Sequence, residues 1–261
     1  MLIDMHFHLE SQFHNPDYID QTIEDIERHK MLIAANSCNV PGYQETIALS
    51  KRSDYILPAF GILPWYAHQF FDKLDTIELP LDEVGMLGEI GIDYKYSPPE
   101  ATKEMQKALY AVFLKAAEKH DLIVNVHIRG YDTMDDAREM MGSYDLKRVI
   151  MHSYYDRSAG MRELVERGYY FTIGQAFINP EHRDESLLKA VDEIPNELLL
   201  VETDCVPSEY VLPSTTLKRM HEALAEYRDM DVSELRETVR QNSIRLMKGV
   251  PQLESYVRLL E

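Results

Sequence analysis

Eight short runs rich in apolar and β-branched residues recur along the 261-residue chain: Leu2–Leu9, Leu32–Cys38, Tyr55–Leu63, Val84–Asp93, Leu122–Ile128, Arg148–Tyr154, Tyr169–Ile173 and Leu198–Asp204. Several are almost continuously hydrophobic, as strands buried on both faces must be. The stretches between them read mostly as helices. In "TKEMQKALYAVFLKAAEKH", Met105, Leu109, Val112, Phe113 and Ala116 make an apolar stripe at helical spacing. "PDYIDQTIEDIERHK" opens with proline and acids and closes with Arg-His-Lys, the arrangement a helix dipole favours. Strand-like and helix-like segments alternating eight times predict an α/β fold, a single-domain (β/α)8 TIM barrel over residues 1–261. A doubly wound sheet is the alternative, but no G-x-G-x-x-G follows an early strand and no P-loop sequence occurs. No internal repeat and no Pro/Ser/Gly linker divides the chain.

Composition narrows the partners. Acidic residues outnumber basic ones 45 to 27, a net charge of -18, so a long nucleic-acid footprint is not expected, whereas a small anionic substrate or a nucleic-acid end remains compatible. No apolar run approaches the roughly 20 residues that span a bilayer, and no basic-then-apolar leader opens the chain. Cys38 and Cys205 cannot make a disulfide framework. A cytoplasmic protein without membrane partners is expected, its oligomeric state undetermined.

In a barrel of this kind, chemistry gathers at the C-terminal ends of strands. The first run carries "DMHFH", where His6 and His8 share a face because side chains alternate along a strand. The fourth ends in "GEIGIDY" with Glu89 and Asp93, the fifth in "NVHIRG" with His127 and Arg129, the sixth in "VIMHSYY" with His152, and the eighth in "LLVETDC" with Asp204. Taken singly, each has a plain structural explanation: a hydrogen-bonded histidine, a salt-bridged Glu89, an Asp204 helix cap. Together the six are costly to bury unless paired or metal-bound. Nitrogen and oxygen donors without thiolate suit two divalent ions, Zn, Mn or Mg. The expected division puts His6, His8 and Asp204 on one ion, His127 and His152 on the other, and Glu89 across both. A hydroxide between the ions would be the nucleophile, with Asp204 taking its proton.

The sequence resembles the TatD-like metal-dependent hydrolases of the amidohydrolase superfamily. "DMHFH" resembles the family's D-x-H-x-H, "GEIGIDY" its GE-x-G-[IL]-D-Y, "VHIR" its H-x-R, "MHSYY" its lone-histidine strand, "VETD" its E-T-D, and "RQNSIRLM" its terminal N-x-x-x-[LF] signature. The resemblance implies a TIM barrel, divalent metals, hydrolysis of ester bonds of the deoxyribonuclease type, and metal roles for His6, His8, Glu89, His127, His152 and Asp204. Two departures fall on the substrate side. "GILPWYAHQF" has Leu63 where the family usually carries a histidine, with His68 as a candidate replacement, and "TDCVPSEY" is one residue longer than usual before its proline.

Other residues have two readings. Asp4 and Glu202 could fix a histidine tautomer or fill the barrel floor. Arg129 could clamp a phosphate or pair with Asp93. Trp65, Tyr94, Tyr154 and Tyr155 could wall a substrate ring or pack a loop. Cys205 reads as a small filler, and His14, His29, His120, His182 and His221 as surface residues. The expected substrate is a short nucleic acid or a small molecule bearing a phosphoester. A sister amidohydrolase acting on a small amide, lactone or phosphotriester is the enzymatic alternative. Such enzymes often bridge their metals with a modified lysine, and no lysine ends the fifth run. A non-catalytic metal-binding barrel is the other, although no ligand is missing.

Overall fold

The computed structural model describes residues 1–10, 15–130, 132–154, 160–208 and 211–261. Eight strands follow in chain order: β1 (Ile3–Phe7), β2 (Leu32–Asn36), β3 (Ile56–Ala59), β4 (Met86–Asp93), β5 (Ile123–Arg129), β6 (Val149–Met151), β7 (Tyr170–Ile173) and β8 (Leu199–Val201). Each lies inside or within a residue of one of the eight runs read from the sequence. All neighbouring pairs are parallel, β1-β2-β3 in one ladder and β4 through β8 in another. Two parallel bridges join the ladders, Phe60 to Leu87 and Phe7 to Cys205. At the second join the His8 N–H donates to the Cys205 carbonyl (2.9 Å) and the Asp204 N–H to that of His6 (3.0 Å). The sheet therefore closes on itself as a (β/α)8 barrel, in which every strand needs apolar residues on both faces. β1, β2 and β4 are buried along their whole lengths.

The helices that cover the barrel begin and end where local chemistry dictates. Helix α1 (Ile19–His29) follows a 3-10 turn capped by the Asn15 side chain and stops at Lys30 in the left-handed region. Helix α2 (Val40–Ser50) is capped by Asn39, with proline in its first turn. Helix α3 (Lys103–His120) begins at Thr102, whose hydroxyl accepts from Met105 N–H, and ends at a left-handed Asp121. Its buried face is rotated from the stripe read in the sequence: Gln106, Tyr110, Leu114 and Ala117 are buried with Leu109, Phe113 and Ala116, while Val112 is only half-buried. The sheet it meets is wider than a single helical stripe, so flanking residues are covered as well. Short helices α4 (Thr133–Gly142), α5 (Met161–Glu166) and α6 (Glu185–Glu193) link the later strands. Helices α7 (Pro213–Tyr227), α8 (Val232–Met247) and α9 (Glu254–Leu260) complete the chain.

Helix α8 ties directly to the barrel, and α7 packs outside it. Asn242, in the "RQNSIRLM" signature, sends its amide to the carbonyls of Asn196 and Leu199, both at 2.7 Å, and so anchors α8 to the start of β8. On α7, His221 is 1% exposed and its Nδ1 faces the Leu217 carbonyl at 2.8 Å. This corrects the expectation of a surface histidine: α7 packs on α1 and α8 and encloses that side chain. Among the described residues no helix is long and apolar enough to cross a membrane.

Candidate metal centre

Asp4 and His6 lie on β1, His8 and Glu10 on the segment just past it, and all four are buried. The Nε2 atoms of His6 and His8 come within 3.0 Å of each other. Glu89 Oε2 lies 3.5 Å from the first and 3.3 Å from the second, and Asp204 Oδ1 lies 3.7 and 3.5 Å from them. A tetrahedral ion with bonds of about 2.0–2.1 Å holds neighbouring donors about 3.3 Å apart, so these four atoms match the donor set and the spacing of a divalent site. A second group shares Glu89: its Oε1 is 2.5 Å from His127 Nδ1 and 3.5 Å from His152 Nε2, and Asp204 Oδ2 is 3.8 Å from the same His152 nitrogen. The structure brings all six expected ligands together, with Glu89 between the two groups.

Glu89 reaches this point because its strand is built for close approach. A Cβ on Gly91 would sit 1.9 Å from the His127 carbonyl oxygen, and its φ of +151° is one that L side chains rarely adopt. A Cβ on Gly88 would meet Asn36 Oδ1 at 2.3 Å. The glycines of "GEIGIDY" thus let β4 lie against β2 and β5 while Glu89 projects between them.

Each of the four histidines turns one nitrogen inward and the other to a fixed partner. His6 Nδ1 faces Asn125 Oδ1 at 3.2 Å, and the amide nitrogen of Asn125 donates to the Met5 carbonyl at 2.9 Å, which fixes the amide's orientation. His8 Nδ1 meets the Asn36 carbonyl at 3.0 Å, with Glu10 Oε2 3.4 Å away. His127 Nε2 faces Asp93 Oδ2 at 3.2 Å, and His152 Nδ1 faces Glu202 at 2.9 Å. Such outer contacts leave a lone pair pointing inward on each ring. Glu202 is therefore one of the two tautomer-fixing candidates read from the sequence. Asp4 is not: it accepts from the Thr203 amide and hydroxyl, at 2.9 and 2.5 Å, and pins β1 to the segment after β8. Asn125 and Glu10 were missed as histidine partners. Their signal was present, since each lies two residues from a ligand histidine and so on its face of the strand.

The electrostatics call for positive charge. Burial alone would raise the Glu89 carboxyl, but His127 and His6 hold it well below the usual carboxylate range. For Asp204, too, burial is outweighed, by His152 and by hydrogen bonding to His8. Burial works against charge on His6, yet Glu89 lifts it to about 9. His152 stays below the usual imidazole value, held there by burial. Carboxylates held ionised beside a His6 lifted towards its charged form mark a centre that favours positive charge, which divalent ions would supply by displacing ring protons. Asp204 is the most open of the six, with 41% of its side chain exposed.

The substrate-side expectations fare unevenly. Arg129 lies at the centre, its Nη2 3.2 Å from His152 Nε2. Trp65 does too, its indole N–H donating to Asp93 Oδ2 at 2.7 Å. Tyr154 does not face a substrate space: it is buried, its ring edge-on to Phe171 with centroids 5.0 Å apart. His68 is exposed on the 3-10 turn Pro64–Gln69, while Leu63 at the start of that turn is buried and donates its N–H to the Cys38 carbonyl. Tyr94 donates to Asp136 at 2.6 Å and belongs to loop packing. Tyr155 and His14 lie outside the described residues.

Comparison with known proteins adds four findings. A family model described as TatD related DNase matches residues 3–248. The Bacillus subtilis (strain 168) protein called uncharacterized metal-dependent hydrolase YabD is 25% identical, with 95% of this chain and 99% of that protein covered. The 3'-5' ssDNA/RNA exonuclease TatD of Citrobacter rodentium is 30% identical over 135 residues, 51% of this chain and 48% of its own length. In three dimensions the barrel is similar to the crystal structure of YJJV, a TatD homolog from Escherichia coli K12, with a TM-score of 0.79 and 21% identity over 94% of this chain and 97% of that one.

Proposed function

The chain belongs to the family of TatD-related DNases and is a metal-dependent hydrolase, and from that premise we propose that it cleaves phosphodiester bonds at the ends of short nucleic acids. It does so as one domain spanning residues 1–261, with two divalent ions of the Zn, Mn or Mg class. His6, His8 and Asp204 would hold one ion, His127 and His152 the other, and Glu89 both. The observation that carries this reading is the meeting of six nitrogen and oxygen donors from five strand ends, with Glu89 shared between the two groups.

Bound ions would supply Lewis acidity to a phosphoryl oxygen and to water. The protein's own groups do the rest. Asp204, ionised and partly open, accepts the proton of an attacking water. Glu202 holds the His152 ring, and Arg129 offers planar donors to a phosphate oxygen. The net charge of -18 weighs against a long duplex footprint and favours short strands.

The test is metal analysis of the purified protein, followed by Mg- or Mn-supplemented assays on a model phosphodiester, single-stranded DNA ends, a lactone, an amide and a phosphotriester. Cleavage of phosphodiester and DNA ends, lost in Asp204→Ala, supports the proposal. Turnover of the small neutral substrates alone would replace it with a sister amidohydrolase activity. A protein that binds no divalent ion would overturn it.

A further inference from the structure

Asp93 closes β4, and its side chain is a hub. Oδ1 accepts the backbone N–H groups of Lys95 and Tyr96, at 2.9 and 2.8 Å, while its own N–H donates to Gln106 Oε1 at 2.8 Å. Oδ2 lies 2.7 Å from Trp65 Nε1 and 3.2 Å from His127 Nε2. The far nitrogen of that imidazole is 2.5 Å from Glu89 Oε1. His127 thus sits between two carboxylates. A neutral ring can donate to only one of them, and the choice decides which nitrogen keeps its lone pair. If the proton sits on Nδ1, the ring turns a hydrogen towards Glu89 and cannot be a ligand there. If it sits on Nε2, the lone pair faces the centre.

We propose that Trp65 is a positioning residue: its indole N–H holds Asp93 Oδ2 in place as the acceptor for His127 Nε2–H, so that His127 keeps its Nδ1 lone pair for the ion it shares with Glu89. Indole nitrogen is a donor only, so the Trp65–Asp93 bond has one sense, and it leaves Asp93 as an acceptor towards the histidine. The two loop amides fix Oδ1, and Trp65 sets where Oδ2 points. Trp65 comes from the 3-10 turn Pro64–Gln69 after β3. The indole also meets the His127 ring edge-on, with centroids 6.1 Å apart and planes at 88°. Bulk alone is therefore a competing explanation, and the test must separate donor from bulk.

This inference rests on the reading of His127 as a ligand, and its test does not depend on activity. The His127 tautomer is read by proton–nitrogen-15 correlation in the metal-free protein at a pH alkaline enough to leave the ring neutral, and affinity for Mn and Zn by calorimetry. Trp65→Phe keeps an aromatic ring and removes the donor: it should lower the Nε2–H population and weaken the His127-linked ion by about 10- to 100-fold, the usual effect of losing an outer partner of a metal ligand. Trp65→His, which restores a donor with a smaller ring, should recover most of both. Asp93→Asn should move the proton to Nδ1 whatever the indole does. An unchanged tautomer and unchanged affinity in Trp65→Phe would overturn the proposal, as would an Asp93→Asn protein that keeps the Nε2–H form. If the wild-type protein bound no divalent ion, the proposed function would fall, and the tautomer readings alone would decide this inference.

Discussion

His6 on β1 and His8 just past its end place their Nε2 atoms 3.0 Å apart, with Glu89 Oε2 within 3.5 Å of both. Two imidazole nitrogens at that separation cannot both carry a hydrogen along the line between them. A cation bonded to both lone pairs resolves the conflict. His8→Ala should remove one ion per chain, and His127→Ala the other, as counted by inductively coupled plasma mass spectrometry after dialysis. Equal metal content in the wild type and both variants would exclude the assigned ligands.

Of the six converging residues Asp204 has the most open side chain, 41% exposed, and its neighbours favour its ionised form. Asp204→Asn retains shape and one acceptor oxygen but cannot take up a proton. Turnover of a model phosphodiester should fall by about 10²- to 10⁴-fold, the span associated with loss of a positioned general base. The circular-dichroism spectrum should be unchanged. A variant with wild-type turnover would remove Asp204 from the chemistry.

Trp65 is the chain's single tryptophan and lies beside His127. Its fluorescence should therefore change as divalent metal is titrated in, and the phase belonging to the His127-linked ion should vanish in His127→Ala. A flat titration in a protein that demonstrably takes up metal would place that ion away from Trp65.

Burial pushes His221 down to about 4, with Arg236 acting in the same direction and the Leu217 carbonyl opposing. The folded protein keeps this ring neutral, whereas the unfolded chain protonates it near the ordinary 6.5. Its contribution to stability is complete above pH 6.5 and is lost as pH falls towards 4, amounting to roughly 3 kcal/mol at most. Comparing urea unfolding at pH 7.5 and pH 5 for the wild type and His221→Gln isolates this share. The variant should lose less stability over that interval, and equal losses would contradict the burial argument.

Asn242 satisfies two backbone carbonyls at the foot of β8. Asn242→Ala strands both, at a cost of about 1–3 kcal/mol for each group left unpaired. A lowered urea midpoint with metal content intact is the expected result, since the anchor lies at the opposite end of β8 from Asp204.

What could be read from the chain divides along physical lines. Strands of a closed parallel barrel must be apolar on both faces, so "LIAAN" and "MLGEIGID" declare themselves without any partner in view. The convergence of the six proposed ligands was legible because strand ends in a barrel converge, which turns six weak signals into one. Contacts between strands distant in sequence were harder. That Asn125 would answer His6, and Asp93 would answer both His127 and Trp65, depends on register and on the path of the turn after β3. His221 was misread because it was taken singly: Leu217, Leu224 and Ala225, three and four residues away on the same helix face, marked it as buried. Tyr154 follows its strand end as a substrate-facing residue would, yet its ring turns in against Phe171.

The barrel's seam lies between its first strand and its last, and the first ion group straddles it. His6 and His8 precede the Asp204 that completes their group by nearly two hundred residues, yet the Asp204 N–H is hydrogen-bonded to the His6 carbonyl. A nascent chain shorter than that carries two histidines with no carboxylate from the far side of the ring. An ion held from both edges would be captured only once the far strand is in place, and it would act as a clasp across the join, resisting the separation of the first and last strands from which unwinding of the barrel would begin.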